Sequence, residues 1–277
     1  MNAPLPLNVP KASANEAYES VARISNDVAG RLAARLTAQT QGEVLFSPAD
    51  RGRYATDASI YQAMPVGVFV PRNTQDVALA LDICRDLNVP IVPRGGGTSQ
   101  CGQTVGAGLV IDHSKYLRNI LEVDAENRTA KVEPGLVLDH LNLALKKHGL
   151  WYPVDVSTSA QATLGGMAGN NSCGSRSIAY GNMVHNVLGA QAMLSDGSLL
   201  DFGRFDAATG RVKAIGDYVR TLAAEHQAEI EARCPRCCVA WRATTWTSST
   251  TRARSLTPQT VRSIWRTSWW AVKARWR

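Results

Sequence analysis

The stretch Val92-Pro93-Arg94-Gly95-Gly96-Gly97-Thr98-Ser99 gathers residue types suited to gripping an anion. Three consecutive glycines strip the Cβ atoms from a turn, so backbone N–H groups can close around a phosphate. Thr98 and Ser99 add hydroxyl donors, and Arg94 adds a cation. A second glycine-rich segment runs from Thr163 to Gly174 and contains Gly165, Gly166, Gly169 and Asn170. Two such loops suggest a large diphosphate ligand held from two sides. Taken alone, Gly95–Gly97 also reads as a plain turn, because glycine clusters mark turns of any purpose. No G-x-x-x-x-G-K-[ST] occurs, which disfavours a P-loop enzyme. No G-x-G-x-x-G opens a helix after the first strand, which disfavours a Rossmann half.

Titrating side chains offer less. The histidines are His113, His140, His148, His185 and His226. His140, His148 and His226 fall on or at the ends of expected helices and read as solvated. His113 follows a strand and reads as a turn residue. His185, beside Tyr180-Gly181-Asn182, is the single histidine near the expected ligand, and no catalytic base is assigned. The cysteines Cys84, Cys101, Cys173, Cys234, Cys237 and Cys238 show no disulfide-like spacing. Cys84 reads as a buried hydrophobe. Cys101 and Cys173 sit beside the glycine segments, where a small residue suits a crowded backbone. Cys234 and Cys237 have C-x-x-C spacing, but a closed zinc or cluster site wants four ligands. No second pair follows, so no metal is expected.

The elements that must position these residues follow from periodicity. Asn15–Gln39 has apolar residues at helical spacing. Val66–Val70 reads as a strand. Asn73 is an N-cap for a helix whose buried face is Val77, Ala80, Leu81, Cys84 and Leu87. Val89–Val92 is the next strand and delivers the chain to the glycine loop, completing a βαβ unit. Gly108–Asp112, Ile120–Val123 and Thr129–Glu133 are further strands. Leu136–Lys147 is a helix stopped by Gly149. Val187–Leu194 and Ser198–Phe202 form a hairpin across Asp196-Gly197, and Val212–Glu231 returns to helix. This order argues for an α+β fold with two small subdomains, about 66–112 and 119–201, and a ligand between them.

Charge divides the chain. The 277 residues carry 30 Lys+Arg and 23 Asp+Glu, net +7, a balance that ordinarily points to nucleic acid or anionic membrane. All the acids and 20 of the basic residues lie in residues 1–232, whereas residues 233–277 hold the other 10 basic residues and no acid. Six of the seven tryptophans lie there too: Trp241, Trp246, Trp265, Trp269, Trp270 and Trp276. The basicity therefore belongs to a tail. One reading of that tail is an Arg/Trp surface for nucleic acid or membrane. The other is a change of reading frame or a mis-joined gene near Arg233, because no apolar period persists beyond it. The expected division is an N-terminal extension and helix (1–41), a ligand-binding domain (42–232) and an aberrant tail (233–277). No stretch approaches the roughly 18 apolar residues of a membrane span, and the first 41 residues lack a signal-peptide core. With free cysteines this predicts a cytoplasmic protein.

The ordered set Pro93–Ser99, Val132-Glu133-Pro134-Gly135, Thr163–Gly174 and Tyr180-Gly181-Asn182 resembles the FAD-linked oxidases of the vanillyl-alcohol oxidase and p-cresol methylhydroxylase type. The nearer likeness is to D-lactate and D-2-hydroxyglutarate dehydrogenases, especially long bacterial forms with iron–sulfur modules after the flavin part. The resemblance runs from about Phe46 to about Phe202. It implies the two-subdomain FAD-binding fold of the p-cresol methylhydroxylase type and an FAD-dependent oxidoreductase acting on a D-2-hydroxy acid. An alcohol or sugar-lactone oxidase on the same platform is the alternative. The FAD pyrophosphate would fall to Arg94, Gly95, Gly96, Gly97, Thr98 and Ser99. Thr163, Gly165, Gly166, Asn170 and Gly174 would line the cofactor from the other side, with Pro134, Gly135 and Val187 flanking it. Some relatives carry a flavin-linked histidine in the first loop. Here Thr98 stands in the matching place, so non-covalent FAD is expected. The family's acid–base groups lie mainly in a cap domain that nothing in this chain resembles, so the chain reads as truncated. The electron acceptor is open between a quinone, a cytochrome and an iron–sulfur module, which leaves peripheral inner-membrane attachment open. No nucleic-acid partner is expected.

Overall fold

The computed structural model describes residues 24–204, 207–233 and the strand Ser268–Arg275. Two sheets organise them. The first contains β1 (Glu43–Leu45), β2 (Gly67–Val70), β3 (Ile91–Arg94) and β4 (Leu109–Asp112), in the order β1-β2-β4-β3. β2, β4 and β3 are parallel, and β1 pairs antiparallel with β2. β2 and β4 are buried along their whole length, as parallel strands covered on both faces must be. The covering helices are α1 (Asn26–Gln39) and α3 (Thr74–Asp86), with the short α2 (Pro48–Arg53) between them in sequence. Leu32 and Leu36 of α1 and Ala80, Ile83 and Cys84 of α3 share one core with Phe69, Leu109 and Ile111.

The start of α3 is built as its sequence demands. Asn73 Oδ1 accepts the Asp76 N–H at 2.9 Å. The Asp76 carboxylate is buried and accepts the backbone N–H groups of Gln41 and Arg72, each at 2.9 Å. Backbone donors thus satisfy a charge that burial would otherwise make costly.

The second sheet is wholly antiparallel. It contains β5 (Ile120–Asp124), β6 (Thr129–Val132), β7 (Val187–Met193), β8 (Leu199–Phe202) and β9 (Ser268–Arg275), in the order β5-β6-β9-β7-β8. Around it lie α4 (Leu138–Leu145), α5 (Leu164–Asn170), α6 (Ser177–Tyr180), α7 (Met183–Asn186), α8 (Gly210–Glu225) and α9 (Gln227–Arg233). Ala130, Val132, Leu138, Leu141, Leu145, Leu164, Met167 and Val187 belong to its main core. A smaller cluster of Val77, Leu81, Leu117 and Met193 joins α3 to this second unit.

Several expectations are corrected. Among the described residues the first helix begins at Asn26, because Ser25 is extended and caps it; the part of the expected helix before residue 24 lies outside the described residues. The βαβ strands β2 and β3 are parallel in one sheet, with β4 lying between them. The Thr163–Gly174 segment is not a loop throughout: Leu164–Asn170 is α5, whose Leu164, Met167 and Ala168 are buried. Tertiary burial overrides the weak helix propensity of glycine there. The last expected helix is two, interrupted at His226. The tail, in whose sequence no apolar period persists, supplies β9.

Candidate functional site

The end of β3 fixes the first glycine loop. The His113 N–H donates to the Arg94 carbonyl at 3.0 Å, tying the exit of β3 to that of β4, and the Ala58 N–H donates to the Gly97 carbonyl at 3.1 Å. The Arg94 guanidinium turns back into the protein. Its Nη2 donates to the Thr56 carbonyl at 2.9 Å, and its Nη1 to the carbonyls of Thr104 at 3.3 Å and Tyr54 at 3.4 Å. It also lies 5.4 Å from the centre of the Tyr54 ring. Arg94 therefore shapes the loop from behind, through three backbone carbonyls.

The second glycine segment rests on Pro134-Gly135. Gly165 N–H donates to the Pro134 carbonyl and Leu164 N–H to the Leu136 carbonyl, each at 2.8 Å, while Gly135 N–H reaches the Leu117 carbonyl at 2.8 Å. Val137 and Thr163 form an isolated bridge. Pro134, Gly135 and Gly165 are buried, as is Val187. Pro134, Gly135 and Val187 support α5, to which the buried Gly165 belongs, while Gly166 and Asn170 are exposed.

The structure brings the two glycine segments together. A Cβ on Gly95 would collide with the Thr163 hydroxyl, and one on Gly96 with the Gln161 carbonyl. Gly97 has φ +65°, and a side chain there would meet the Arg94 guanidinium. Glycine is thus demanded by close approach at Gly96 and by backbone conformation at Gly97. Thr163 Oγ1 is buried without a hydrogen-bond partner. A polar bridge crosses between the segments: the Ser99 hydroxyl bonds Gln103 Oε1, and Gln103 Nε2 donates to Asn170 Oδ1 at 3.3 Å. Among the described residues, no backbone N–H from Gly95 to Ser99 donates to a protein acceptor.

Gly174 belongs to a separate knot. Its N–H donates to Ser177 Oγ at 2.9 Å, and Asp155 accepts from Ser175 Oγ at 2.8 Å and from the Arg176 N–H at 3.1 Å. The Arg176 guanidinium lies 5.2 Å from the Trp151 ring centre, and Trp151 meets Tyr180 edge-on at 5.2 Å. His185 is held locally, its Nδ1 accepting the Asn182 N–H at 2.9 Å. His140 and His148 are exposed. His113, between the end of β4 and the turn that starts at Ser114, is buried with Nε2 unpaired. Burial holds its imidazole below the ordinary histidine pKa, with the neighbouring Asp112 charge opposing the shift. Burial likewise pushes the Cys84 thiol up to about 12, as befits a core residue. Gln103, Gln161, Thr56 and Asp57 were not legible as site-builders. Asp57 accepts the Thr104 hydroxyl at 2.8 Å and the Ser59 N–H at 2.8 Å, contacts that no sequence spacing announces.

Amides and hydroxyls, with no carboxylate among the Gly95–Ser99 donors, suit a pyrophosphate. Residues 65–203 match the family described as FAD binding domain. The chain belongs to that family. Relatives point the same way. The D-2-hydroxyglutarate dehydrogenase of Pantoea ananatis is 41% identical over 163 residues, covering 58% of this chain and 16% of that protein. The glycolate oxidase subunit GlcD of Bacillus subtilis is 40% identical over 170 residues, covering 60% of this chain and 36% of its own. Among solved structures, wild-type BBE-like 1 of Physcomitrella patens has a TM-score of 0.60 at 17% identity, over 88% of this chain and 44% of that one. An alkyldihydroxyacetonephosphate synthase has a TM-score of 0.56 at 20% identity, over 62% and 35%. These two likenesses show the fold, an α+β FAD-binding fold. The chain spans only 16% of the length of the D-2-hydroxyglutarate dehydrogenase. Among the described residues no helix is long and apolar enough to cross a membrane.

Proposed function

We propose that this FAD-binding domain is the flavin-holding part of a dehydrogenase for a D-2-hydroxy acid of the lactate or 2-hydroxyglutarate class, and that it holds FAD non-covalently. The observation that carries the reading is the run of unpartnered N–H groups from Gly95 to Ser99 where the two glycine segments meet. Those amides would take the pyrophosphate, with the Thr98 and Ser99 hydroxyls beside them. Arg94, Ala58 and Gln103 would hold the loop in the binding shape before the cofactor arrives, which lowers the ordering cost of association. Gly166 and Asn170 would close the opposite side. Bound FAD would supply the acceptor for hydride from the substrate carbon. The substrate class rests on the relatives, whose names specify 2-hydroxy acids.

The protein's own acid–base contribution is not assembled in the described residues. Arg94 is committed to backbone carbonyls, Arg176 to Asp155 and Trp151, and His185 to Asn182. The proton-accepting group and the carboxylate-binding cation would therefore come from outside this region.

The test is an absorbance spectrum of the purified full chain, followed by calorimetric titration with FAD. Flavin bands that pass into the filtrate after acid denaturation are expected. Folded protein that gives no heat of binding overturns the reading, and flavin that stays with the denatured chain overturns its non-covalent part.

A further inference from the structure

The most consequential feature outside the cofactor site is the position of β9. It lies in the middle of its sheet, not at an edge. Thr129, Ala130, Lys131 and Val132 of β6 pair in unbroken register with Arg275, Ala274, Lys273 and Val272. On its other side β9 pairs with β7 from Val187↔Ala274 to Met193↔Ser268, with irregularities between Val187 and Gly189 and between Gln191 and Ala192. Without β9 the sheet is two separate ribbons, β5–β6 and β7–β8. Each would present an unpaired inner edge, and a two-stranded ribbon is marginal by itself.

The gap between the ribbons is shaped by other parts of the chain. Ala130 and Val132 of β6 and Val187 of β7 are buried in one core with Leu138, Leu141, Leu164 and Met167. Helices α4 and α5 thus hold β6 and β7 on a common base, two strand spacings apart, roughly 10 Å. Whatever enters there gains backbone hydrogen bonds on both sides. The sequence of the tail keeps no sustained strand period. Its β7 register is irregular as well. Both facts point to recognition by backbone pairing, which tolerates sequence, as when an extended peptide adds to a sheet.

We propose that the space between β6 and β7 is a strand-acceptor site. Its occupant is the Ser268–Arg275 segment of this chain, and it accepts the same segment as a free peptide. The tail is then an integral strand of the second subdomain and not an appendage. This proposal does not depend on the flavin reading, and its test uses no cofactor.

Hydrogen exchange measured by mass spectrometry on the full chain tests it. Val272→Pro places a proline in a central strand, where none is tolerated. Thr129–Val132 and Val187–Met193 are expected to lose protection by on the order of tenfold or more, while Val68–Val70 and Leu109–Asp112 keep theirs. Excess synthetic peptide of sequence 268–275 is expected to restore the lost protection. Unchanged exchange in β6 and β7, or failure of the peptide to restore it, overturns the proposal. If the proline variant loses protection in both sheets, the pairing is read by cross-linking. Ala130→Cys with Ala274→Cys joins register partners and is expected to form an intramolecular disulfide, mapped by peptide mass. Ala130→Cys with Lys273→Cys is offset by one residue, on the other face, and is expected not to. Absence of the first disulfide, or equal yield from both pairs, overturns the proposal.

Discussion

At the scale of single residues, the glycines of the site do two jobs that point to different outcomes. Gly96 must lack a side chain because the Gln161 carbonyl lies where its Cβ would be, and the neighbouring amides would have to stay open for the proposed pyrophosphate. Gly96→Asp introduces both a clash and a negative charge, so it is expected to abolish flavin uptake. Co-purified flavin absorbance equal to that of the wild type would refute the placement. Arg94→Met tests the loop scaffold. Losing the bonds to Thr56, Thr104 and Tyr54 is expected to weaken FAD binding by on the order of tenfold, at about 0.5–1.5 kcal/mol for each net hydrogen bond, with the far-ultraviolet spectrum unchanged. Calorimetry of the two proteins decides it. His113 sets a pH dependence. Its buried ring is held below the usual histidine value, so the unfolded chain takes up a proton first as pH falls below about 6.5. Stability from this group is therefore fully present above that pH and is lost as pH falls toward the folded-state value. His113→Leu removes the penalty. The stability difference between wild type and variant, read from urea midpoints, is expected to shift toward the variant between neutral pH and mildly acidic pH.

At the scale of elements, legibility followed period and capping. The α3 helix was readable because Asn73 and Asp76 cap it and its apolar face repeats. The α4 helix was readable because Leu138, Leu141 and Leu145 recur at helical spacing and are buried. β1 escaped notice because three partly buried residues carry no two-residue alternation. The α5 sequence reads as loop because its glycines argue against a helix, and only the burial of Leu164, Met167 and Ala168 stabilises it. That burial makes a prediction. Leu141 is fully buried in the core that supports α5, and Leu141→Ala is expected to cost about 2–5 kcal/mol, read by urea denaturation. A cost near zero would mean that this core does not hold the second subdomain.

At the scale of the whole molecule, the site depends on two sheets meeting through the contacts of Gly95 with Thr163, Gly96 with Gln161, and Gln103 with Ser99 and Asn170. Among the described residues, the histidine and arginines nearest the glycine segments are held by other partners, His185 by Asn182, Arg94 by backbone carbonyls and Arg176 by Asp155. Turnover of D-lactate or D-2-hydroxyglutarate by this chain is accordingly expected to be absent even with flavin bound. Steady-state turnover near the usual enzyme rate, on the order of 10 per second, would show that another copy or the tail completes the site. The sequence by itself determined the glycine segments, the order of most strands and helices, and the likeness to flavin enzymes, because these rest on local chemistry: missing Cβ atoms, caps and apolar repeats. The tertiary structure alone decided that Arg94 faces inward and that His113 is buried. It alone brought Gln103 and Gln161 to the site and seated Ser268–Arg275 at the centre of a sheet. Each of these depends on a partner far away in sequence, and neither the spacing of residues nor their propensities encode which distant backbone will offer the matching donor or acceptor.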